Sequence, residues 1–336
     1  MEVQLFYRKH NASNFSIEGI FNNLYEEFDE VLKNENAKVS KIEVPYFSNK
    51  KTSIIKNIFF SRSNVKDVNH ITGDIHYVAL GLPVRSTVLT VHDCVTLTRK
   101  RNPITQWFIK KLWFDWAVGN VQYITVISEK TKTELIQYTG CSPEKIVIIP
   151  NPYNPIFAFK KLAFNREKPH ILQIGTRDNK NLENIILAIE NINCKLIIIG
   201  KTDSNQKKML RNGNIDYEEC SNISNEEMYQ RYVQADLVTF VSFYEGFGMP
   251  IIEAQAVGRP VLTSNIPPMN TISKDSALHV DPFSVEAIRN GIQKIIEDNE
   301  FRENLIIKGL ENVKKYSREI IAQQYLDLYK KIHTKN

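Results

Sequence analysis

Short apolar, β-branched runs alternate with helix-length stretches along this chain, and they do so in two separate series. The first series has strand-like runs at 3–7, 39–44, 68–71, 86–91, 123–127 and 145–149, with a helix expected over 17–32. The second has strands at 170–174, 195–199, 215–218, 237–241 and 261–264, with helices at 182–192, 206–211, 224–235 and 250–257. Strands that are apolar on both faces and separated by helices belong to parallel sheets, because each crossover helix covers a face of the sheet it returns to. Between the series, Pro150, Pro152 and Pro155 crowd a stretch too poor in N–H donors for a regular element. The inter-domain linker is placed there, ending near Lys168. A last helical pattern, 302–313 and 317–333, breaks around Tyr316 and Ser317.

One strand-to-helix junction in the second series carries unusual chemistry. An apolar strand ends near Ser242, Glu245-Gly246-Phe247-Gly248-Met249 forms the loop, Pro250 opens a helix, and Glu253 falls in that helix's first turn. Glycines at 246 and 248 allow dihedrals other residues avoid and let the backbone approach a ligand. Proline suits a first helical position, where its missing N–H costs nothing. Ligands in parallel α/β sheets sit outside the carboxyl ends of strands, and free N–H groups at a helix start favour anionic or hydroxyl-rich groups. A carboxylate there accepts two hydroxyls at once, as a sugar ring offers them. Two isolated glutamates would ordinarily be solvated surface residues; the surrounding pattern argues otherwise.

Glu245-Gly-Phe-Gly-Met-Pro-x-x-Glu253, followed by Ala254, Ala256, Gly258 and Pro260, resembles the E-x7-E signature of the retaining glycosyltransferase family 4, the group 1 glycosyltransferases. Further matches occur in order along most of the chain. Gln173 through Leu182 is similar to the family's Gly…Arg-Lys-Asn segment, and Ser224 through Asp236 to the helix before the signature strand. Ser264-Asn-Ile and Ala277 through Phe283 match the segments after it, and Thr90-Val-His92-Asp93 and Thr125 through Glu129 fit in the first half. The chain departs from the pattern in three places. Asn179-Lys180-Asn181 stands for Arg-Lys-Asn, with Arg177 two residues upstream as a substitute guanidinium. Asn270-Thr271 replaces Pro-Glu, and Asn14 through Glu18 replaces a Gly-Gly loop.

The resemblance implies a GT-B fold: two Rossmann-like domains facing across a cleft, with a terminal helix returning to the first. Residues 1–155 would bind the acceptor, joined by helix 317–336, and residues 156–316 the nucleotide-sugar donor. It assigns catalytic roles to His92, Arg177, Lys180 and Glu245. Gly175, Thr176, Phe247, Gly248, Met249, Pro250 and Glu253 become donor-site residues, with Glu253 on the ribose hydroxyls and the backbone of 247–249 on the sugar. Ser16, Asp93 and Ser128 are the acceptor-side candidates, and Thr72 and Asp74 also end strands on that side.

Composition bounds the alternatives. With 336 residues, 42% hydrophobic and 24% charged, the chain is long enough for two ordinary globular domains. No apolar run reaches membrane-span length, and the N-terminus reads as a first strand, without the charged and apolar regions of a signal peptide. Cys94, Cys141, Cys194 and Cys220 lack paired spacing, so free thiols in a reducing cytoplasm are expected. No clustered acidic ligands follow a strand, so neither a metal nor another cofactor is expected. The formal charge of +5 suits an anionic substrate or an anionic lipid surface equally, and nucleic acid is not expected as a partner.

All three tryptophans fall in Trp107 through Trp116, beside Lys110 and Lys111 and after Arg99-Lys100-Arg101. Such a helix either lies on an anionic membrane surface or faces the core with its lysines wet; positions 107, 113, 114 and 117 make no single stripe. Together with these bounds, the resemblance implies a cytoplasmic, metal-independent, retaining glycosyltransferase, with peripheral membrane association left open. It would move a mannose- or glucose-type hexose from a UDP- or GDP-linked donor to a sugar or lipid-linked glycan acceptor, in surface polysaccharide assembly. A nucleotide-sugar epimerase of the same fold and a non-catalytic nucleotide-sugar-binding protein are the alternatives.

Overall fold

The computed structural model describes residues 1–10, 16–31, 37–98 and 102–334. The chain divides into two compact units, Met1–Pro152 with Arg318–Asn336, and Tyr153–Ser317.

In the first unit β1 (Glu2–Tyr7), β2 (Lys38–Glu43), β3 (Val68–Ile71), β4 (Thr87–Val91), β5 (Tyr123–Val126) and β6 (Ile146–Ile148) form one parallel sheet in the order β2-β1-β3-β4-β5-β6. Strand order reverses beside β1, where β2 lies on one side and β3 on the other. At such a switch point the two crossovers leave in opposite directions and open a crevice at the carboxyl ends.

The chain's last helix, Arg318–His333, completes this unit by packing against helix Ser16–Val31. Ile321, Tyr325, Leu326, Tyr329 and Ile332 join Leu5, Phe21, Leu24 and Phe28 in one core. Fully burying each such side chain stabilises by roughly 1.5–3 kcal/mol. The contact also has a polar lock. Buried His70, on β3, lies 2.6 Å through Nδ1 from the Tyr329 hydroxyl and 2.7 Å through Nε2 from Thr90 Oγ1 on β4. The burial holds its pKa down at about 3.

In the second unit β7 (His170–Ile174), β8 (Lys195–Ile199), β9 (Asp216–Cys220), β10 (Leu237–Phe240), β11 (Val261–Ser264) and β12 (Leu278–Val280) form a parallel sheet in the order β12-β11-β10-β7-β8-β9. Here the switch point lies between β7 and β10, whose register pairs Leu237 with Ile171 and Thr239 with Gln173.

Several elements escape the sequence pattern. β12 is too short to show a period, and helices Lys51–Arg62, Glu129–Thr139 and Val285–Glu297 also form. The apolar residues of Lys51–Arg62 are spread around the helix and leave no stripe to read. The stretch placed as a linker differs too: from Tyr153 onward the chain belongs to the second unit. Buried Arg259 donates to the Lys160 carbonyl at 2.9 Å, and Asp236 accepts from the Asn165 and His170 N–H groups at 2.8 Å each. These side chains satisfy backbone groups that no sheet or helix partners, which ties an irregular segment to the domain.

Candidate active site

The second unit's switch point is built outward from β7. Gly175 follows that strand with φ +92°, and a Cβ at this position would come 2.7 Å from Lys180 Cγ. The missing side chain lets Lys180 run back across the turn. Buried Gln173 fixes the turn by donating from Nε2 to the Lys180 carbonyl at 2.9 Å while accepting from Thr239 Oγ1 at 2.9 Å. Asn181, buried and left-handed at φ +60°, donates to the carbonyls of Val241 at 2.9 Å and Pro282 at 2.7 Å. Asparagine tolerates that conformation where most residues do not. Its side chain zips the β7 loop to the end of β10.

The zip brings Lys180 Nζ to 2.6 Å from Glu245 Oε1 and 4.7 Å from the Phe240 ring centroid. Asn179 adds to it, donating to the Tyr244 carbonyl at 3.0 Å and to Glu245 Oε1 at 3.4 Å, while its carbonyl accepts from Phe243 N–H at 2.8 Å. Each member of Asn179-Lys180-Asn181 thus has a separate task. Arg177 is exposed and forms no ion pair among the described residues. Thr176 is held by its hydroxyl, which donates to the Lys201 carbonyl at 2.8 Å.

Helix Met249–Val257 starts at Gly248 with no side-chain cap, and Pro250 lies within its first turn. Pro250 has no N–H and Ile251 N–H donates to the Gly248 carbonyl at 2.9 Å, so Met249 N–H is the donor this uncapped first turn offers an anion or hydroxyl. Gly248 has φ +140°, a conformation that favours glycine there. The Phe247 ring is buried against Tyr316, 5.8 Å between centroids, which leaves its backbone for the loop. Met249 and Pro250 are half-buried.

Glu253 is half-buried at the fifth position of that helix, one residue beyond the first turn where the sequence placed it, because the helix starts at Met249, and its Oε2 accepts a 2.7 Å hydrogen bond from the fully buried Tyr232 hydroxyl. Burial pushes the Glu253 carboxyl up to about 7, against the lowering pull of the Tyr232 hydrogen bond and of Lys180. The sequence reading missed Tyr232. It lies on the apolar face of helix Asn225–Gln234, where its spacing reads as core and its hydroxyl carries no separate signal.

In the first unit a cavity of about 360 Å³ opens at the β1/β3 switch point, lined by Arg8, Asp74, His76, His92, Asp93 and Trp113 among others. Arg8 bridges Glu18 and Asp74, and Trp113 Nε1 donates to the Asp74 carbonyl at 2.7 Å. His92 Nε2 lies 2.8 Å from the Thr72 carbonyl, and its ring stands edge-on to Phe21 at 6.1 Å. Desolvation lowers its pKa. Asp93 is exposed and closes a turn by accepting from Val95 N–H at 2.9 Å. Ser128 is buried, does not line this cavity, and caps helix Glu129–Thr139 by accepting from Thr131 N–H at 3.2 Å. The Ser16 side chain, residues 14 and 15, and Arg99-Lys100-Arg101 lie outside the described residues.

Among the described residues no group of three or more His, Cys, Asp and Glu side chains could hold a metal ion. The four cysteines form no disulfide. No helix among the described residues is long and apolar enough to cross a membrane.

Comparison with known proteins gives two family matches: residues 156–312 to "Glycosyl transferases group 1" and residues 40–156 to "Glycosyltransferase Family 4". The O-antigen chain mannosyltransferase B of Escherichia coli is 26% identical over 240 residues, 64% of this chain and 62% of that protein. The chain thus spans about three fifths of the length of that relative. Among solved structures, sucrose-phosphate synthase from Thermosynechococcus elongatus superposes with a TM-score of 0.79 at 18% identity, covering 100% of both chains. Anabaena Alr3699/HepE in complex with UDP-glucose gives a TM-score of 0.75 at 13% identity, covering 98% of this chain and 100% of that one. The fold is that of these GT-B proteins.

Proposed function

The chain belongs to the group 1 (family 4) glycosyltransferases, and from that footing we propose that it moves a hexose from a nucleotide diphosphate sugar to a sugar or lipid-linked glycan acceptor. The carrying observation is the Lys180–Glu245 pair beside the uncapped start of helix Met249–Val257, at the carboxyl ends of β7 and β10. In this reading the donor's diphosphate takes the Lys180 ammonium from Glu245. That exchange leaves the Glu245 carboxylate to accept sugar hydroxyls, with the Met249 N–H at the helix start beside it. Glu253 accepts the ribose hydroxyls. Lys180, with Arg177 as the exposed second cation, offsets the negative charge that grows on the departing diphosphate, the kind of electrostatic stabilisation that usually dominates such catalysis.

The acceptor is assigned to the first unit's cavity, with His92 on its wall and Asp93 at its rim. The sugar is transferred with retention, by attack on the face the diphosphate leaves, and without metal or other cofactor. The mannosyltransferase relative and the neighbour bound to UDP-glucose support a mannose- or glucose-type hexose and a UDP-linked donor, with a GDP-linked donor as the other candidate. The O-antigen relative supports a role in surface polysaccharide assembly, and we place that role on the cytoplasmic side.

The test is a thermal-shift screen across UDP-, GDP- and ADP-hexoses, followed by product analysis with candidate glycans. A ligand that binds only the folded state raises its stability, by about 2.7 kcal/mol at a hundredfold excess over Kd. At least one nucleotide sugar should raise Tm and be turned over. If none does either, the reading fails.

A further inference from the structure

Helix Pro103–Ile109, in the first unit, buries none of its residues. Ile104, Trp107 and Phe108 share one face at i, i+3 and i+4 spacing, and that face is open: Ile104 is 68% and Trp107 52% exposed. An amphipathic helix ordinarily turns this face to the core. The segment just after it does so, because the π-helical turn Lys110–Asp115 resets the phase and sends Phe114 and Ala117 inward. The two readings left open by the sequence therefore divide along one segment.

A second helix extends the open face. On Lys51–Arg62, residues Lys51, Ile55 and Phe59 recur every fourth position, and Phe59 is 62% exposed. Lys51 Nζ sits 5.6 Å from the Phe108 ring centroid and joins the two helices into one patch. Lys56 Nζ, 5.2 Å from the centroid of the exposed Tyr46 ring, carries it further. Lys51 and Lys56 stand on the rings themselves, and Lys110 and Lys111, both paired with Asp115, follow directly after Phe108 and Ile109.

We propose that this patch docks the chain on an anionic phospholipid surface. Exposed indole and phenyl rings fit the headgroup–acyl boundary, and the surrounding cations fit acidic headgroups. Lys51 and Lys56 sit over ring faces without a carboxylate partner among the described residues, and acidic headgroups supply that charge as a continuous field alongside the apolar boundary the rings require. The helix is too short to insert and lies along the surface. Trp113, a few residues on, and Phe47, next to Tyr46, line the cavity described above, so its mouth adjoins the docking face. Use of that neighbourhood for a lipid-linked acceptor rests on the proposed activity; the docking does not.

Flotation of the full chain with phosphatidylcholine vesicles, with and without phosphatidylglycerol, tests the proposal in the absence of any sugar donor. The chain should float with the anionic vesicles, and less so as salt rises. Trp107→Ser with Phe108→Ser should lose at least tenfold in partitioning. Lys51→Glu with Lys56→Glu should lose about fivefold per residue. Thermal unfolding and nucleotide-sugar binding should stay at the parent values in each variant. No flotation with anionic vesicles, or flotation unchanged by both pairs of substitutions, overturns the proposal. So does a parent chain that sediments as a dimer and becomes monomeric in the aromatic variant, since a second copy would then own the patch.

Discussion

The Lys180 ammonium lies 2.6 Å from Glu245 Oε1, so the residue assigned to the diphosphate and the residue assigned to the sugar are each other's partners in the ligand-free chain. Both side chains are mostly buried, at 21% and 15% exposure. Each therefore depends on the other to avoid an unpaired buried charge.

That mutual dependence makes their substitutions non-additive. Lys180→Ala leaves Glu245 facing an incoming diphosphate, and should lower kcat about hundredfold or more and weaken nucleotide binding. Adding Glu245→Gln removes the repulsion, so the double variant should bind nucleoside diphosphate more tightly than Lys180→Ala alone. Calorimetric titration of the four species measures the coupling. Strictly additive losses would place the two residues in separate sites.

Glu253 gives the site a pH dependence of its own. A carboxyl at about 7 is partly protonated at neutrality, and the proton removes an acceptor that ribose hydroxyls need. UDP or GDP should therefore bind more weakly near pH 6 than near pH 8. The phosphate also titrates near there, so Glu253→Gln is the control: it should bind weakly at both values. Tyr232→Phe removes a hydrogen bond that favours the carboxylate, and should move the midpoint upward. A midpoint left in place would show that Tyr232 only packs.

Gly175→Ala separates geometry from stability. The added methyl meets the flexible Lys180 side chain at a backbone φ of +92°. The expected result is a stable protein, destabilised by about 1–2 kcal/mol for the strained φ, with a drop in turnover approaching that of Lys180→Ala. Unfolding curves together with turnover check it.

Acid should unlock the terminal helix through His70. Its folded pKa, about 3, is below the ordinary 6.5, so the folded state resists the proton that the unfolded chain accepts. The contribution is present above pH 6.5 and is lost as pH falls towards 3. Glu253 acts in the opposite sense in the other unit, where stability falls as pH rises from 4.5 towards 7. A His70→Asn variant should start less stable and lose less between neutral and acid pH, measured by denaturant unfolding at each pH. Parallel curves for parent and variant would refute it.

Much of this was legible beforehand because it is local. Parallel strands buried on both faces are largely apolar, so β1, β7, β8, β10 and β11 announce themselves in the sequence, whereas β3 carries buried Asn69 and His70 between its two apolar ends. Glycine at 248 and proline at 250 mark a helix start for reasons confined to their own dihedrals. Short β12 and helix Lys51–Arg62 lacked a period to read, and the segment after Tyr153 looked like a linker because its anchors, Asp236 and Arg259, are distant in sequence.

The sequence by itself determined the two α/β series, the strand-to-helix junction and the presence of Glu245, Glu253 and Lys180 near strand ends. Only the tertiary structure decided which of these meet. Strand order puts β7 beside β10, and that adjacency joins Lys180 to Glu245 across 65 positions of chain. The same packing supplies Tyr232 to Glu253, and leaves Trp107 and Phe108 in the open while Phe114 is buried. Periodicity states which face of an element is apolar. Which neighbour that face receives, or whether it receives one, depends on contacts between residues far apart in the chain, and no local pattern encodes them.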